Sequence, residues 1–367
     1  MSKYRVMDLF AGVGGLSYGF AQNDCFEIVL ANEIEKDISA AYVLNHPGVK
    51  MINDDIRSLT KETIQNCLLE STGDANAKID IIIGGPPCQS YSTLGKRRMD
   101  ARAHLFEEYC RLLSIVQPRL FLFENVSGLM SMQGGKLIEE IKGRFRELGY
   151  EVKSQVLNAV DYGVPQYRDR VILVGMRGEN TFEYPRPTHG EGLLPYVTVE
   201  DAFSDLPVLK SGQECNSYAT APQNDYQKYL RANATVLTEN AAPTNGAHLI
   251  RIMEALPDGG SKNDLPEDIR PKSGYGNTYA KMWWKKPAPT VTRNFATPSS
   301  SRCVHPRDSR AMTTREGARL QSFPDDYKFY GSKSMKNLEI GNAVPPLLSI
   351  ALAKEVKRAF SPAPANQ

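Results

Sequence analysis

The segment Asp8-Leu-Phe-Ala-Gly-Val-Gly-Gly-Leu16 joins the first strand-like run of the chain, Tyr4–Phe10, to a helical pattern, and this junction indicates the class of fold. Glycines in such a turn let the backbone approach a ligand closely, and the start of the following helix favours polar or anionic groups. The pattern is not the dinucleotide-binding fingerprint, since counting from Gly12 and Gly14 puts Ser17 at the third glycine position. The sequence therefore predicts a strand, a ligand-binding turn and a helix.

Short aliphatic and β-branched runs alternate with helix-period segments throughout the first half of the chain. Such alternation indicates βαβ units, and therefore an α/β protein with a parallel sheet and helices on both faces. The predicted strands are Tyr4–Phe10, Glu27–Asn32, Val49–Ile52, Ile79–Ile83, Arg119–Phe123, Val152–Leu157 and Val171–Met176, and the predicted helices are Leu16–Asn23, Lys36–Asn45, Lys61–Glu70, His104–Val116 and Lys136–Leu148. Ligands of such sheets bind in the loops after the carboxyl ends of the strands.

The character of the sequence changes after Met176. From residue 177 to about 286 the chain is rich in Pro, Gly, Asn and Asp, but Trp283 and Trp284 favour a small folded domain over disorder. Helical patterns resume near Thr313–Ser322 and over Val344–Phe360. We therefore expect a first domain over 1–176, a loop-rich domain over 177–286 with a hinge to about 310, a return to the first domain over 311–360, and a disordered tail over 361–367.

Composition excludes several classes of protein. The chain has 367 residues, of which 41% are hydrophobic and 23% charged, which is ordinary globular usage rather than that of a coiled coil or a disordered chain. The absence of an 18-residue apolar run argues against a membrane span, and the strand-like start argues against a signal peptide. The six cysteines have no CxxC or zinc-knuckle spacing. These features predict a cytoplasmic protein with reduced thiols and no metal site.

The distribution of charge is less even than the net charge of +2 indicates. Between residues 285 and 319, eight Lys or Arg residues stand against two acids, a local excess of +6. Such a stretch is either a solvated basic face or a surface that binds nucleic acid, and the charge alone leaves both interpretations open.

Acidic residues follow the second and third predicted strands. Glu33 lies 21 residues after Gly12, where a carboxylate can accept hydrogen bonds from ribose hydroxyls, and Asp54-Asp55-Ile56 follows the next strand. Together with the glycine-rich turn, these acids predict a site for a nucleoside cofactor.

A thiol and a carboxyl group follow the fourth and fifth predicted strands. The loop Gly84-Gly-Pro-Pro-Cys-Gln-Ser-Tyr-Ser92 holds Cys88 between a diproline and polar residues, whereas a buried structural cysteine is more typical of an apolar run. Glu124 ends the fifth strand, where a lone acid could also cap a helix. A thiol and an acid at one sheet edge suit covalent catalysis with proton transfer to the substrate.

These segments, in this order, resemble the cytosine-5 DNA methyltransferase family of the bacterial restriction-modification type over nearly the whole chain. Three further motifs carry the resemblance: Gln166-Tyr-Arg-Asp-Arg170, Arg315-Glu-Gly-Ala-Arg-Leu-Gln-Ser-Phe-Pro324 and Gly341-Asn-Ala-Val-Pro-Pro346. The resemblance implies a Rossmann-like S-adenosylmethionine-dependent methyltransferase sheet, a target-recognition domain over 177–286, and a C-terminal helix that returns to the large domain.

The resemblance also implies roles for individual residues. Cys88 would add to carbon 6 of a flipped-out cytosine, Glu124 would bind and help protonate ring nitrogen 3, and Asn125 would support the loop. Arg168 and Arg170 would stabilise the adduct and hold the base carbonyl and a nearby phosphate. The residues implied to bind S-adenosylmethionine, and its product S-adenosylhomocysteine, are Asp8, Phe10, Gly12, Gly14, Gly15, Leu16, Glu33, Ile34, Asp55, Ile56, Pro86, Asn342 and Ala343. Those expected to bind DNA are Gln89, Ser92, Lys96, Arg97, Arg98, Arg293 and Arg302, and 92–104 resembles a mobile loop that closes over the substrate.

The implied activity is methylation of carbon 5 of cytosine within a specific duplex DNA sequence. We expect a monomeric modification enzyme whose system also contains a cognate restriction endonuclease, not necessarily in contact with it. The nearest alternative is a transfer-RNA cytosine-5 methyltransferase, but the long region 177–286 favours DNA, because sequence readout in a duplex needs elements that reach base edges. A flavin- or nicotinamide-dependent oxidoreductase would reveal itself by the absorbance of its cofactor. A catalytically silent DNA-binding module would be expected to have lost at least one of Cys88, Glu124, Arg168 and Arg170.

Overall fold

The structure, a computed structural model, describes residues 3–87, 103–272 and 277–360. Within these ranges the strands are β1 (Tyr4–Leu9), β2 (Phe26–Asn32), β3 (Lys50–Ile52), β4 (Ile81–Gly84), β5 (Leu120–Val126), β6 (Tyr150–Asn158), β7 (Asp169–Arg177), β8 (Ala280–Lys281) and β9 (Arg302–Val304). The helices are α1 (Gly15–Ala21), α2 (Lys36–Asn45), α3 (Lys61–Thr72), α4 (Ala103–Val116), α5 (Lys136–Glu147), α6 (Val199–Phe203), α7 (Asp225–Leu230), α8 (Ala247–Ala255), α9 (Thr314–Leu320), α10 (Lys333–Asn342) and α11 (Pro346–Phe360). The predicted tail over 361–367 lies outside the described residues.

A seven-stranded sheet forms the centre of the first half of the chain, with strand order β3-β2-β1-β4-β5-β7-β6. The predicted strands and helices of this half are confirmed, with bounds that move by at most three residues. The strands β1 to β5 run parallel, but β7 is antiparallel to both β5 and β6. The predicted parallel sheet is thus observed from β1 to β5, and β7 adds an antiparallel edge, because the ten residues 159–168 between β6 and β7 are too few for a crossover helix.

Both faces of the sheet are covered. All four side chains of Leu120–Phe123 on β5 are fully buried, which a strand shows only when each face packs against other elements. On one face, Tyr109 of α4 and Phe145 of α5 pack against the phenylalanine rings of β5, with ring centroids 4.4–6.2 Å apart. Gly175 on β7 is required here, since a side chain at this position would collide with the ring of Phe121. Edge-to-face pairs of this kind contribute roughly 0.5–1.5 kcal/mol each beyond burial.

The C-terminal helix α11 packs against the start of the chain, as expected. The hydroxyl of Ser349 accepts a hydrogen bond from the amide of Gly19 at 2.9 Å and donates one to the carbonyl of Leu16. At the other end of the helix, the ring of Phe360 meets that of Tyr4 at 4.6 Å. Gly19 permits this approach, because a side chain there would overlap the backbone of α11.

The chain divides into two compact units. The first unit contains the residues up to 158, then 169–186 and those from 348 onwards, and the second contains 159–168 and 187–347. The predicted domains differ from these units, because 177–186 packs with the first and 311–347 with the second. Tyr184 donates a hydrogen bond to the carbonyl of Ile172 at 2.8 Å, which fixes the chain beside β7. Arg319 of α9 binds Asp205 and Asp325 at 2.6 Å each, and all three side chains are fully buried in the second unit.

Among the residues that the structure describes, no helix has both the length and the apolar character needed to cross a bilayer.

Candidate active site

The carboxyl edge of the sheet in the first unit brings several predicted site residues into one row. The strand pairing places Leu9 beside Asn32 on one side and beside Gly84 on the other, and Gly84 beside Phe123. The residues that follow these four are Phe10, Glu33, Gly85 and Glu124. The predicted cofactor and catalytic groups therefore follow neighbouring strands at the same edge.

The glycine-rich turn is held in an unusual backbone conformation by Glu33. Gly12 and Gly14 have left-handed φ angles of 56° and 92°, and Phe10 shares this region with a φ of 55°. One carboxylate oxygen of Glu33 accepts the amide of Gly12 at 2.9 Å and the other accepts that of Glu35 at 2.9 Å. Burial raises the pKa of Glu33 above its usual value. A Cβ added at Gly12 would meet nothing within 4 Å, so the space beside the turn is open.

Asp8 supports the turn from beneath instead of facing a ligand. Its side chain is 1% exposed and accepts a hydrogen bond from the hydroxyl of Ser17 at 2.5 Å. The Ser17 hydroxyl also lies 2.8 Å from that of Tyr42 on α2. The residue that departs from the dinucleotide fingerprint is thus the residue that anchors Asp8. The implied direct contact of Asp8 with the cofactor does not fit this burial, and we assign Asp8 to positioning the turn.

The stability of the protein is expected to depend on the ionisation of Asp8. Burial raises the pKa of Asp8 from 3.8 to about 7, with the nearby Glu33 acting in the same direction. The folded state therefore keeps a proton that the unfolded chain loses near pH 4, and stability falls as the pH rises from about 4 to 7. At about 1.4 kcal/mol for each pKa unit, the loss amounts to roughly 4 kcal/mol.

Asp8→Asn should remove this dependence, because the amide keeps an acceptor for Ser17 and cannot ionise. Chemical denaturation at pH 5 and pH 8 should show the variant losing less stability than the wild type between the two values. Asp24→Asn, at an exposed position, is the matched control and should behave as the wild type. Parallel curves for wild type and Asp8→Asn would contradict the assignment.

The loop after β3 is organised by three residues that the sequence analysis did not single out. Arg57 binds Asp55 with both ends of its fork, Nε to Oδ1 at 2.9 Å and NH2 to Oδ2 at 2.6 Å, and lowers its pKa. Arg111 of α4 donates to the carbonyls of Ile56 and Leu59 at 3.1 and 2.8 Å. The third residue, Asn53, donates to the carbonyls of Glu33 and Ile34 at 2.8 and 3.0 Å. Contacts between distant segments identify Asn53 and Arg111, whereas Arg57 stands only two residues after Asp55 in the sequence.

Ile34 and Ile56, two of the residues implied to bind the cofactor, differ in exposure. The side chain of Ile34 is 60% exposed, an unusual state for a large apolar residue, whereas Ile56 is 3% exposed and belongs to the core cluster. Ile34 can therefore offer an apolar face to a ligand, and Ile56 supports the loop from inside.

Glu124 and Arg170 form the ion pair at the end of β5. Arg170 Nε lies 2.7 Å from Glu124 Oε1, and the side chains are only 11% and 13% exposed. The antiparallel pairing of β7 with β5, which places Arg170 opposite Val126, brings the two together. Gly85 permits the close approach of the next strand, because a Cβ there would lie 2.6 Å from Glu124 Oε2.

Asn125 fixes the segment before the predicted nucleophile. Its side-chain amide donates to the carbonyl of Pro86 at 3.0 Å, and its oxygen accepts the amide of Val126 at 2.9 Å. Pro86 is buried, as is Asn125. Cys88 itself, the predicted DNA contacts Gln89, Ser92, Lys96, Arg97 and Arg98, and most of the loop over 92–104 lie outside the described residues.

Arg168 belongs to the second unit and is committed to holding backbone there. Its side chain is 1% exposed, and its guanidinium donates to the carbonyls of Val291 at 2.9 Å, Gly341 at 2.8 Å and Ala343 at 3.0 Å. A guanidinium buried in this way is poorly placed to stabilise a substrate adduct. We therefore assign Arg168 to positioning the Gly341–Ala343 segment, in which the side chain of Asn342 is exposed.

The basic stretch over 285–319 is less basic at the surface than its sequence indicates. Arg310, Arg315 and Arg319 are at most 1% exposed and bind acids or backbone carbonyls inside the second unit. Arg302 NH1 donates to three backbone carbonyls, including that of Gly259 at 2.6 Å. Arg293, in contrast, is exposed, so of the two predicted phosphate contacts it is the more available.

The fold is shared with solved methyltransferases. An Escherichia coli prophage protein described as a DNA modification methyltransferase superposes with a TM-score of 0.78 over 98% of this chain and 99% of its own, at 24% identity. DNMT2 of Spodoptera frugiperda gives a TM-score of 0.61 over 98% of this chain and 100% of its own, at 16% identity. At these identities the likeness establishes the fold. The acid-lined carboxyl edge and the glycine-rich turn thus belong to an α/β methyltransferase fold.

Sequence comparison then defines the family. The model of C-5 cytosine-specific DNA methylases matches residues 4–358, and the chain belongs to this family. The Type II methyltransferase M1.HphI of Haemophilus parahaemolyticus is 35% identical over 97% of this chain and 89% of its own length. The Type II methyltransferase M.AgeI of Thalassovita gelatinovora is 33% identical over 97% of this chain and 100% of its own. The protein is therefore a DNA cytosine-5 methyltransferase, and these relatives favour DNA over transfer RNA as its substrate.

Proposed function

We propose that the protein uses S-adenosylmethionine to methylate cytosine within a specific duplex sequence, with Cys88 as nucleophile and Glu124 as proton donor. The observation that carries this proposal is the Glu124–Arg170 ion pair at the end of β5. The next residue of the strand, Asn125, binds the carbonyl of Pro86, and Pro86 stands two residues before Cys88 in the sequence. An ion pair with Arg170 orients the nearly buried carboxyl group beside the loop of the nucleophile, where it can bind a ring nitrogen of the base and exchange a proton with it.

The carboxyl edge fits the proposed cofactor. Glu33 keeps lone pairs that can accept from two ribose hydroxyls, the backbone at Gly12 is open, and the exposed Ile34 can cover one face of an adenine. Asp55 would bind at the edge of the adenine, with its carboxylate oriented by Arg57. S-adenosylmethionine, when bound, supplies a methyl group on a positively charged sulfur.

The proposed role of Cys88 is to make carbon 5 of cytosine nucleophilic. Addition of its thiolate to carbon 6 places electron density on carbon 5 and on ring nitrogen 3. A proton held by Glu124 at nitrogen 3 neutralises the adduct, and Arg170 holds that carboxyl group in place. Once carbon 5 is methylated, loss of its proton restores the double bond and expels Cys88. The reacting atoms lie inside the duplex, so the cytosine must be flipped out, at a cost of a few kcal/mol.

The two compact units are proposed to divide the work. The first unit would hold the cofactor and the reacting groups, because Glu33, Asp55, Glu124 and Arg170 all belong to it. The second unit would bind DNA and read its sequence. The relatives of the protein described above are Type II methyltransferases, which supports a role as the modification enzyme of a restriction-modification system with a cognate endonuclease.

Bisulfite sequencing of a plasmid recovered from cells that express the protein tests the proposal. We expect protected cytosines at one position of a recurring sequence, and none in cells that express Cys88→Ser. Addition of S-adenosylmethionine to the purified protein should be required for methylation of the same plasmid in vitro. Methylation of transfer RNA without methylation of the plasmid would refute the proposal.

Arg293 and Arg302 should respond differently to substitution. Arg293→Ala is expected to weaken binding to target and non-target duplexes equally and to lower the slope of log K against log salt by about one, because one phosphate contact is lost. Arg302→Ala should also lower the melting temperature, because Arg302 ties three backbone carbonyls and lies 4.2 Å over the Trp283 ring. Fluorescence anisotropy across a salt series measures the first effect, with Lys228→Ala as the control. An unchanged slope for Arg293→Ala would remove this residue from the DNA surface.

A further inference from the structure

The second unit contains a cavity that the active site does not use. It has a volume of about 360 Å³ and is lined by Asp258, Trp284, Lys285, Pro306 and Arg307. We propose that this cavity receives the major-groove edge of a G·C pair of the target DNA, outside the target cytosine, with Arg307 and Asp258 reading the two bases. This inference rests on the proposed function and names the residues that would give it specificity.

The walls of the cavity are fixed by backbone hydrogen bonds. The amide of Met282 donates to the carbonyl of Val304 at 3.1 Å, continuing the pairing of β8 with β9 up to the residues that line the cavity. The amide of Trp284 donates to Asp258 Oδ1 at 2.9 Å, and this hydrogen bond orients the carboxylate. Gly259, with a φ of 69°, lets this turn pack on Trp283, since any side chain there would overlap the indole. A preformed site loses less conformational entropy when its ligand binds.

Arg307 is exposed but held in one place. Its guanidinium carbon lies 5.3 Å from the ring centroid of Trp284, its Nε binds Asp308 at 3.1 Å, and its NH2 donates to the carbonyl of Leu206 at 3.3 Å. The remaining N–H groups of the fork are available, since an arginine has five donors. A planar fork fixed over an indole is the arrangement that suits bidentate binding to the O6 and N7 atoms of guanine.

Asp258 argues for a base edge over a phosphate as the occupant. A carboxylate repels a phosphate group, whereas it accepts a hydrogen bond from the amino group on carbon 4 of cytosine. Arginine for guanine and aspartate for cytosine together match the two halves of one G·C pair. Lys285, which lines the cavity, and its sequence neighbour Lys286 are both exposed, and they supply the positive charge that attracts the DNA backbone around that pair.

Because other arginines of the basic stretch are buried, much of its accessible positive charge lies at this cavity. Because Arg310, Arg315 and Arg319 are enclosed in the second unit, the surface charge of the 285–319 stretch is concentrated at Lys285, Lys286, Arg293 and Arg307. Two of these four line the cavity. The part of the basic stretch that remains accessible is thus the part with an indole and a carboxylate next to it.

A library of duplexes with randomised positions around the target cytosine, methylated in vitro and read by bisulfite sequencing, tests the inference. The wild type should require G·C at a position outside the target cytosine. Arg307→Gln and Asp258→Asn should each reduce the preference for G·C at that position by at least about tenfold and leave the other positions unchanged. Arg251→Ala, which removes an exposed arginine ion-paired with Asp268 in the same unit, should leave the whole profile unchanged.

The inference would be overturned by a wild-type profile without such a G·C requirement or by an unchanged profile in both variants. It would also be overturned if the variants lost rate equally on all sequences, which would indicate a phosphate contact only. For any variant that does not turn over, anisotropy with duplexes that carry G·C or A·T at that position gives the same ratio without catalysis. If Asp258→Asn does not fold, Arg307→Gln alone decides, because its side chain is exposed. A wild type that methylates no DNA would instead refute the proposed function.

Discussion

The Cys88→Ser variant is expected to lose methylation by on the order of 10⁴-fold or more, while its affinity for S-adenosylmethionine changes by less than about twofold. The loss follows because a serine hydroxyl does not ionise at neutral pH and cannot add to carbon 6, whereas the sulfur is needed only for that addition. Methylation of a duplex carrying the target sequence measures the first effect, and isothermal titration with the cofactor measures the second. Pro86, held by Asn125, should keep the loop base unchanged in the variant.

Covalent trapping provides the independent readout for Cys88. A duplex with 5-fluorocytosine at the target position should form a complex with the wild type that survives denaturation, because fluorine cannot leave as the proton does. Cys88→Ser should form none, and Cys110→Ser, which alters a buried thiol of α4 whose pKa is raised to about 12 by burial, should form it normally. Turnover of the normal duplex without any trapped complex on the fluorinated one would exclude the covalent mechanism.

The Glu124→Gln variant should show the second largest effect. Glutamine keeps the size of the side chain and cannot transfer a proton, so kcat is expected to fall by about 10²–10⁴-fold. Cofactor affinity should be preserved. Because Arg170 is itself only 11% exposed and would face a neutral group, the variant should also lose stability, by roughly 1–3 kcal/mol.

Arg170 allows the catalytic and structural parts of this effect to be separated. Arg170→Lys keeps a cation near Glu124 and should retain more activity than Arg170→Met, because the role assigned to Arg170 is to hold the carboxyl group. Single-turnover rates and unfolding curves for the two single variants and for Glu124→Gln/Arg170→Met form a double-mutant cycle. Strictly additive losses would mean that the ion pair does not couple the two residues in the reaction.

Two arginines that stand two positions apart illustrate how the site depends on the fold. Arg170 begins the antiparallel run of β7 beside β5, which places it against Glu124 in the first unit. Arg168, just before that strand, belongs to the second unit and binds three of its backbone carbonyls. One motif thus supplies the ion-pair partner of Glu124 in the first unit and three hydrogen bonds to the backbone of the second.

Local features of the protein could be predicted from its amino-acid sequence. Strand-like and helix-like patterns of apolar residues alternate along the first half of the chain and predicted its seven strands and five helices. These patterns are recognisable because side chains alternate between the two faces of a strand and repeat every 3.6 residues along a helix. The glycines of the first turn and the acids after β2 and β3 stand at strand ends, which local patterns reveal. The ordered motifs identified the family, which the match over residues 4–358 established.

Which of these residues contact each other depends on the three-dimensional packing of the chain and could not be predicted from local patterns. The direction of β7, the contacts of Arg111 with the loop after β3, the burial of Arg310, Arg315 and Arg319, and the cavity beside Trp284 all arise from contacts between segments. The sequence alone does not distinguish a charged residue that is exposed to solvent from one that is ion-paired in the core. Such a side chain can be buried only if a partner from another part of the chain offsets the free-energy cost of burying its charge. That partner comes into contact with it only in the complete fold.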